Sequence, residues 1–108
     1  MRIYGLKACD TCRKAVKALE GAGHEAELVD IRATPLSAGD LARFLDAFGD
    51  ALVNRRSTTW RGLGEAARAR PDADLLAEHP ALIKRPVIEA DGALYLGWDK
   101  AVQAKLLG

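Results

Sequence analysis

The sequence predicts an α/β domain with a mixed four-stranded sheet and an inserted helical subdomain. Three observations carry this. A strand, a helix and a strand follow one another within residues 2–31, a βαβ unit that implies parallel pairing and a right-handed crossover. Near the other end, Asp91-Gly92 divides two apolar runs, a strong hairpin signal suited to a type I′ turn. The stretch between, residues 34–82, is too long for a plain crossover helix. It is expected to form a small helical subdomain covering one side of the sheet, with 1–33 and 83–108 as the surrounding core.

Each element has a local reason. Arg2-Ile3-Tyr4 reads as a strand closed by Gly5. Residues 10–22 read as a helix, because Cys12, Val16 and Leu19 recur at spacings of four and three. Ala15 and Ala22 widen that stripe, and Arg13, Lys14, Lys17 and Glu20 form the wet face. Gly21 and Gly23 end it. Residues 25–31 alternate and run into Leu28-Val29-Asp30-Ile31, a second strand. Thr34-Pro35 and Ser37-Ala38-Gly39-Asp40 are start signals for a helix carrying Leu41, Phe44, Leu45 and Phe48, which Gly49 stops. Segments near 50–54, 62–69 and 73–78 read as shorter helices, punctuated by Pro71 and Pro80. Pro86–Ala90 and Ala93–Leu96 are the hairpin strands. Asp99 caps a last helix over 100–107, with Ala101, Val102 and Leu106 inward.

The totals narrow the function classes. At 108 residues the chain holds one modest core. Its 16 basic and 15 acidic residues leave a net charge of +1, too small a field to steer nucleic acid or an anionic membrane. No apolar run approaches the roughly 20 residues that span a bilayer. No signal-peptide core precedes Ile3-Tyr4, so a cytoplasmic location is expected. There thiols are kept reduced, and a cysteine pair points to catalysis, redox sensing or metal binding before a structural disulfide.

That pair is Cys9-Asp10-Thr11-Cys12, at the start of the first helix. A thiol attacks only as thiolate, and its pKa of about 8.5 falls to roughly 3.5–7.5 at helix N-termini or beside cations. The free N–H groups and positive dipole end of the helix favour a Cys9 thiolate. Lys7 adds a nearby positive charge. Cys12 lies one turn on, so Cys9 is expected to attack and Cys12 to resolve the adduct as an internal disulfide. Cys12 also lies on the apolar stripe, where it could serve simply as a small core residue. A zinc site would need His24 and His79 to join the pair, and the spacing does not favour it. No metal is expected.

Two further segments are polar enough to bind anions. Arg85 stands in Lys84-Arg85-Pro86, ahead of the third strand. Its guanidinium suits an oxyanion or a glutathione carboxylate, and an ordinary surface arginine fits the local sequence equally well. Asn54-Arg55-Arg56-Ser57-Thr58-Thr59-Trp60-Arg61 is rich in donors. Arg56 is a candidate second clamp, while Arg55 and Arg61 read as a solvated loop with Trp60 anchoring it in the core.

The residues resemble the arsenate-reductase (ArsC) family. Tyr4 through Ala15, with Cys9-Asp10-Thr11-Cys12-Arg13-Lys14, is similar to that family's active-site start. Glu78-His79-Pro80-Ala81-Leu82-Ile83-Lys84-Arg85-Pro86 is similar to its segment before the third strand. Asn54 through Trp60 and Leu96-Gly97-Trp98 resemble its YffB branch. The resemblance implies a thioredoxin-like fold, with a cis proline at Pro86 facing the nucleophile. It implies Cys9 as nucleophile, Cys12 as resolving thiol, and Arg85, Arg56, Lys7 and Pro86 at the substrate or glutathione. It also implies no bound cofactor, glutathione as co-substrate and glutaredoxin as a further partner.

In arsenate reductases three arginines hold the oxyanion over the thiol. Arg85 matches one, and the other two positions fall at Asn54 and Gly97, a departure shared with the YffB branch. That departure sets the substrate apart from arsenate and implies a glutathione-dependent thiol reductase. The Spx regulators are also similar and carry a CxxC at the same place. That likeness implies a redox switch that binds the C-terminal domain of the RNA polymerase α-subunit, without direct nucleic-acid contact. Thr58-Thr59-Trp60 favours YffB.

Overall fold

A computed structural model describes residues 1–107 of the chain. The elements run β1 (Arg2–Gly5), α1 (Asp10–Gly21), β2 (Glu27–Asp30), α2 (Ala38–Phe48), a 3₁₀ turn (Gly49–Leu52), α3 (Thr58–Arg61), α4 (Glu65–Arg68) and α5 (Asp72–Glu78). A second 3₁₀ turn (Pro80–Leu82), β3 (Val87–Ala90), β4 (Ala93–Leu96) and α6 (Lys100–Leu107) complete them. None of the described helices is long and apolar enough to cross a membrane.

The chain packs as two units: Met1–Thr34 with the chain from Arg85 onward, and Pro35–Lys84. The first holds the sheet, in the order β2-β1-β3-β4. β1 runs parallel to β2, while β1–β3 and β3–β4 are antiparallel. A slip of one residue in register would turn every side chain of a strand to the opposite face. The observed register lines Leu28, Ile3, Ile88 and Tyr95 up in one row across the sheet. Leu19 of α1 and Val102 and Leu106 of α6 complete the core with Ile3, Ile88 and Ala90.

Local chemistry sets the turns. Asp91 (φ 50°) and Gly92 (φ 80°) both take the left-handed region, which a type I′ hairpin requires. Asp99 caps α6 through Oδ1, which accepts the Val102 N–H at 2.9 Å. Only Val102 and Leu106 of α6 are buried; Ala101 is exposed, as is Ala22 beyond the end of α1. In so short a helix a single i, i+4 pair is the whole inward stripe.

In the second unit, Ser37 caps α2 by accepting the Asp40 N–H, and Leu41 and Phe44 are buried. α2 packs on α5, whose Leu75 and Leu76 are buried. A bridge between Val53 and Ile83 ties the segment after the first 3₁₀ turn to the chain that leaves the second. A one-turn helix, α3, occupies Thr58–Arg61, where the sequence suggested a loop. Ser57 nucleates it by accepting the Trp60 N–H at 3.1 Å and donating to the Asn54 carbonyl at 2.8 Å. Four residues show no helical period, so only the cap announces it.

Candidate active site

β1 ends at Gly5, and the chain turns through Leu6-Lys7-Ala8 into α1. Leu6 accepts the Cys9 N–H at 3.0 Å, which closes the turn. Cys9 is the N-cap of α1, in extended backbone (φ −83°, ψ 118°), and its carbonyl accepts the Arg13 N–H at 3.0 Å. Its thiol is therefore held at the end of the helix where N–H groups lack helical partners. Asp10 pairs with Arg13 along the surface of the first turn.

The pairing Tyr4↔Val87 carries a second segment to the same end of the sheet. Arg85-Pro86 precedes β3 and lies beside the chain leaving β1. The Arg85–Pro86 peptide is cis, Pro86 is fully buried, and its carbonyl accepts the Gly97 N–H at 2.8 Å. Arg85 is partly exposed and its guanidinium reaches Cys9.

The two thiols are opposed in character. Burial pushes the Cys9 thiol up, but the Cys12 backbone N–H, the Cys12 thiol and Arg85 together pull it below the ordinary thiol value. Cys9 makes no cap hydrogen bond of standard geometry, so the Cys12 N–H acts on its sulfur as a looser, electrostatic contact. Cys12 is pushed up to about 11, first by burial and then by its hydrogen bond and charge interaction with Cys9; the Leu6 N–H and Arg85 offset this only in part. Both cysteines are free thiols. Cys9 is thus the thiol shifted toward its thiolate, and Cys12 is held as a buried, protonated neighbour.

The structure corrects the source of the positive charge on Cys9. It is Arg85; Lys7 is exposed, and both its N–H and its charge act on Asp30 instead. Asp30, at the end of β2, was not legible as a site residue. Its Oδ2 accepts the Lys7 N–H at 3.2 Å, and its Oδ1 accepts those of Arg32 at 2.8 Å and Ala33 at 3.1 Å. The Lys7, Ala33 and Arg32 N–H groups hold its carboxyl below the usual carboxylate range.

Gly5 likewise gives no sign of its role in the sequence. A Cβ there would stand 2.3 Å from Cys12 Sγ, so the absence of a side chain at position 5 makes room for the second thiol.

Arg56 belongs to the second unit. There it lines an open cleft of about 470 Å³ with Ala51, Val53, Asn54, Arg55 and Lys84. The Arg56 N–H donates to Asn54 Oδ1 at 3.1 Å, and its side chain is exposed. Arg55 is not a loosely solvated arginine. It pairs with Asp50 at 3.6 Å and Asp72 at 3.5 Å, donates to the Asp50 carbonyl, and lies 5.1 Å over the Trp60 ring. Arg68 stacks on the same ring at 5.7 Å, so half-buried Trp60 is held by two guanidinium groups rather than sunk in a core.

The family model described as ArsC matches residues 4–106 of the chain. An uncharacterized protein of Haemophilus influenzae is 43% identical over 91% of this chain and 90% of its own. The global transcriptional regulator Spx of Bacillus subtilis is 30% identical over 91% of this chain and 79% of its own, and an arsenate reductase of Rhizobium meliloti is 32% identical over 82% and 67%. The solved structure of a YffB protein superposes with a TM-score of 0.86, at 32% identity, over 99% of this chain and 98% of that one.

Proposed function

The chain belongs to the ArsC family and has its thioredoxin-like fold, and on that premise we propose that it is a glutathione-dependent thiol oxidoreductase with Cys9 as nucleophile and Cys12 as resolving thiol. The opposed thiols support this most directly: Cys9 is lowered by its neighbours, while Cys12 is raised to about 11.

The Cys9 thiolate attacks one sulfur of a disulfide substrate. A Cys9–substrate S–S bond forms, the substrate S–S bond breaks, and the first thiol leaves after taking a proton from water. Cys12 then loses its proton and attacks the Cys9 sulfur. The internal disulfide forms, and the second substrate thiol departs protonated. Two molecules of reduced glutathione return the pair to dithiol and leave as oxidised glutathione, with glutaredoxin as a further reductant of the pair.

Loss of the Cys9 charge in the first step helps the second. The free Cys9 is one of the causes that hold Cys12 high, and a mixed disulfide removes both its charge and its thiolate hydrogen bond. Arg85 holds the anionic end of the substrate or of glutathione beside Cys9. Pro86 contributes by fixing Arg85. A cytoplasmic setting supplies the reductant.

The test is intact-mass spectrometry of reduced protein exposed to oxidised glutathione. A glutathione adduct is expected to accumulate in Cys12→Ser, to pass to an internal disulfide in the wild type, and to be absent from Cys9→Ser. An adduct of equal yield in Cys9→Ser would end the reading.

The 30% identity to Spx supports a second reading, a redox-sensing regulator that binds the C-terminal domain of the RNA polymerase α-subunit. Binding to that domain which changes on Cys9–Cys12 oxidation, with no glutathione-coupled turnover, would select it.

A further inference from the structure

Asp30 stands out because its carboxylate joins the end of β2 to the turn that carries Cys9. Gly5 and Asp30 are register partners in the parallel pair, and the Ile31 N–H donates to the Gly5 carbonyl at 2.9 Å. The strands part at this point. Beyond it, the strand ladder does not hold Leu6-Lys7-Ala8, and Asp30 Oδ2 meets the Lys7 N–H. The carboxylate is itself fixed, because Oδ1 accepts from Arg32 and Ala33 while the Asp30 carbonyl accepts the Thr34 N–H at 2.8 Å. A short acidic side chain anchored on its own turn thus pins the middle of the neighbouring one.

We infer that Asp30 is a positioning residue for the Cys9 thiolate: by holding the Lys7 N–H it sets the Leu6–Cys9 turn that places the Cys9 sulfur against the Cys12 N–H and Arg85. The inference rests on Cys9 as the working thiol. The same turn positions Leu6, whose N–H acts on Cys12 and whose carbonyl accepts the Cys9 N–H. Displacing Lys7 therefore disturbs both thiols. The effect of Asp30 passes through backbone geometry, because its carboxylate accepts the N–H groups of Lys7, Arg32 and Ala33.

The sign of the effect separates this from a plain charge effect. A carboxylate acting through space would repel the Cys9 thiolate and raise its pKa, so neutralising it would lower the pKa. A carboxylate acting by position has the opposite signature. Asp30→Asn retains one oxygen for the Arg32 and Ala33 N–H groups, but turns a donor amide toward the Lys7 N–H. Asp30→Ser keeps a turn-capping oxygen and loses the reach to Lys7.

The experiment measures the pH dependence of Cys9 alkylation by iodoacetamide in a Cys12→Ala background, with melting temperature alongside. The expected result is that Asp30→Asn and Asp30→Ser both move the Cys9 midpoint upward by about 0.5 pH unit, a roughly threefold slower reaction below the midpoint. A midpoint that falls would assign Asp30 a charge effect and overturn the inference. So would an unchanged midpoint with a lowered melting temperature, which is a structural role alone. If neither variant folds, Asp30 belongs to the fold and the inference again fails. A parent protein whose Cys9 titrates at the ordinary thiol value, about 8.5, refutes the proposed nucleophile itself and is read first.

Discussion

Gly5 offers a direct test of how the second thiol is seated. Substitution by alanine places a methyl carbon 2.3 Å from Cys12 Sγ and 3.2 Å from Cys12 Cβ. Cys12 is fully buried, as are Ala15 and Leu19 on the same side of α1, so its sulfur cannot swing away into solvent. Either α1 or the end of β1 must move. Overpacking of this kind costs about 1–3 kcal/mol. For a domain of this size that corresponds to a fall of about 5–20 °C in melting temperature.

Magnitude alone would not identify the cause, so the assay is a double-mutant cycle followed by urea and thermal unfolding. Cys12→Ala alone loses one buried sulfur, at about 1 kcal/mol. If the two substitutions acted independently, their sum would be about 2–4 kcal/mol. In Gly5→Ala/Cys12→Ala the new methyl enters space left by Sγ, and the pair should stay within about 1 kcal/mol of wild type. Additive losses in the double variant, or a Gly5→Ala protein that melts with the wild type, would refute the packing argument.

Arg85→Leu should raise the pH midpoint of Cys9 alkylation, because Arg85 lowers the thiol by both hydrogen bond and charge; Arg85→Lys should restore part of the shift, and a midpoint unmoved by Arg85→Leu would remove the guanidinium from the account. Cys12 makes stability depend on pH at the alkaline end. Its folded pKa of about 11 lies above the ordinary thiol value, so the neutral thiol is favoured in the fold. That contribution is fully present below about pH 9 and lost as pH rises toward 11, on the order of 3 kcal/mol. The difference in unfolding free energy between wild type and Cys12→Ala should narrow over that window, and a constant difference would show that Cys12 is not held neutral by the fold.

What could be read from sequence here was what local chemistry encodes. The Asp91-Gly92 hairpin, the Asp99 and Ser37 caps and the Cys9–Cys12 spacing each depend on a few adjacent residues, and each is found in place. Arg85 is far from Cys9 along the chain, and its place beside the thiol depends on β1–β3 pairing, so only the family likeness pointed to it. Gly5 and Asp30 depend on the parallel register of β1 and β2, which no local pattern announces. Lys7 misled for the complementary reason. Nearness in sequence suggested a charge on Cys9, but the turn commits Lys7 to Asp30. Arg55 looked like a solvated donor because its partners Asp50, Asp72 and Trp60 lie on separate elements.

Asn54 and Gly97, the two positions where the family resemblance implied further arginines, have other tasks in this chain. Asn54 Oδ1 accepts the Arg56 N–H, the Asn54 N–H donates to the Leu82 carbonyl and its carbonyl accepts the Ser57 N–H, so it organises the turn that leads into α3. Gly97 has φ +82°, a conformation that strains any residue with a Cβ, and its N–H holds the Pro86 carbonyl at 2.8 Å. An arginine at 97 would have to impose left-handed strain on the turn that supports Pro86, next to Arg85. The backbone at position 97 therefore suits glycine and not arginine. Among the causes that lower Cys9, Arg85 is the one cationic side chain. One guanidinium beside a thiolate matches a singly charged carboxylate more closely than a compact oxyanion held from three sides.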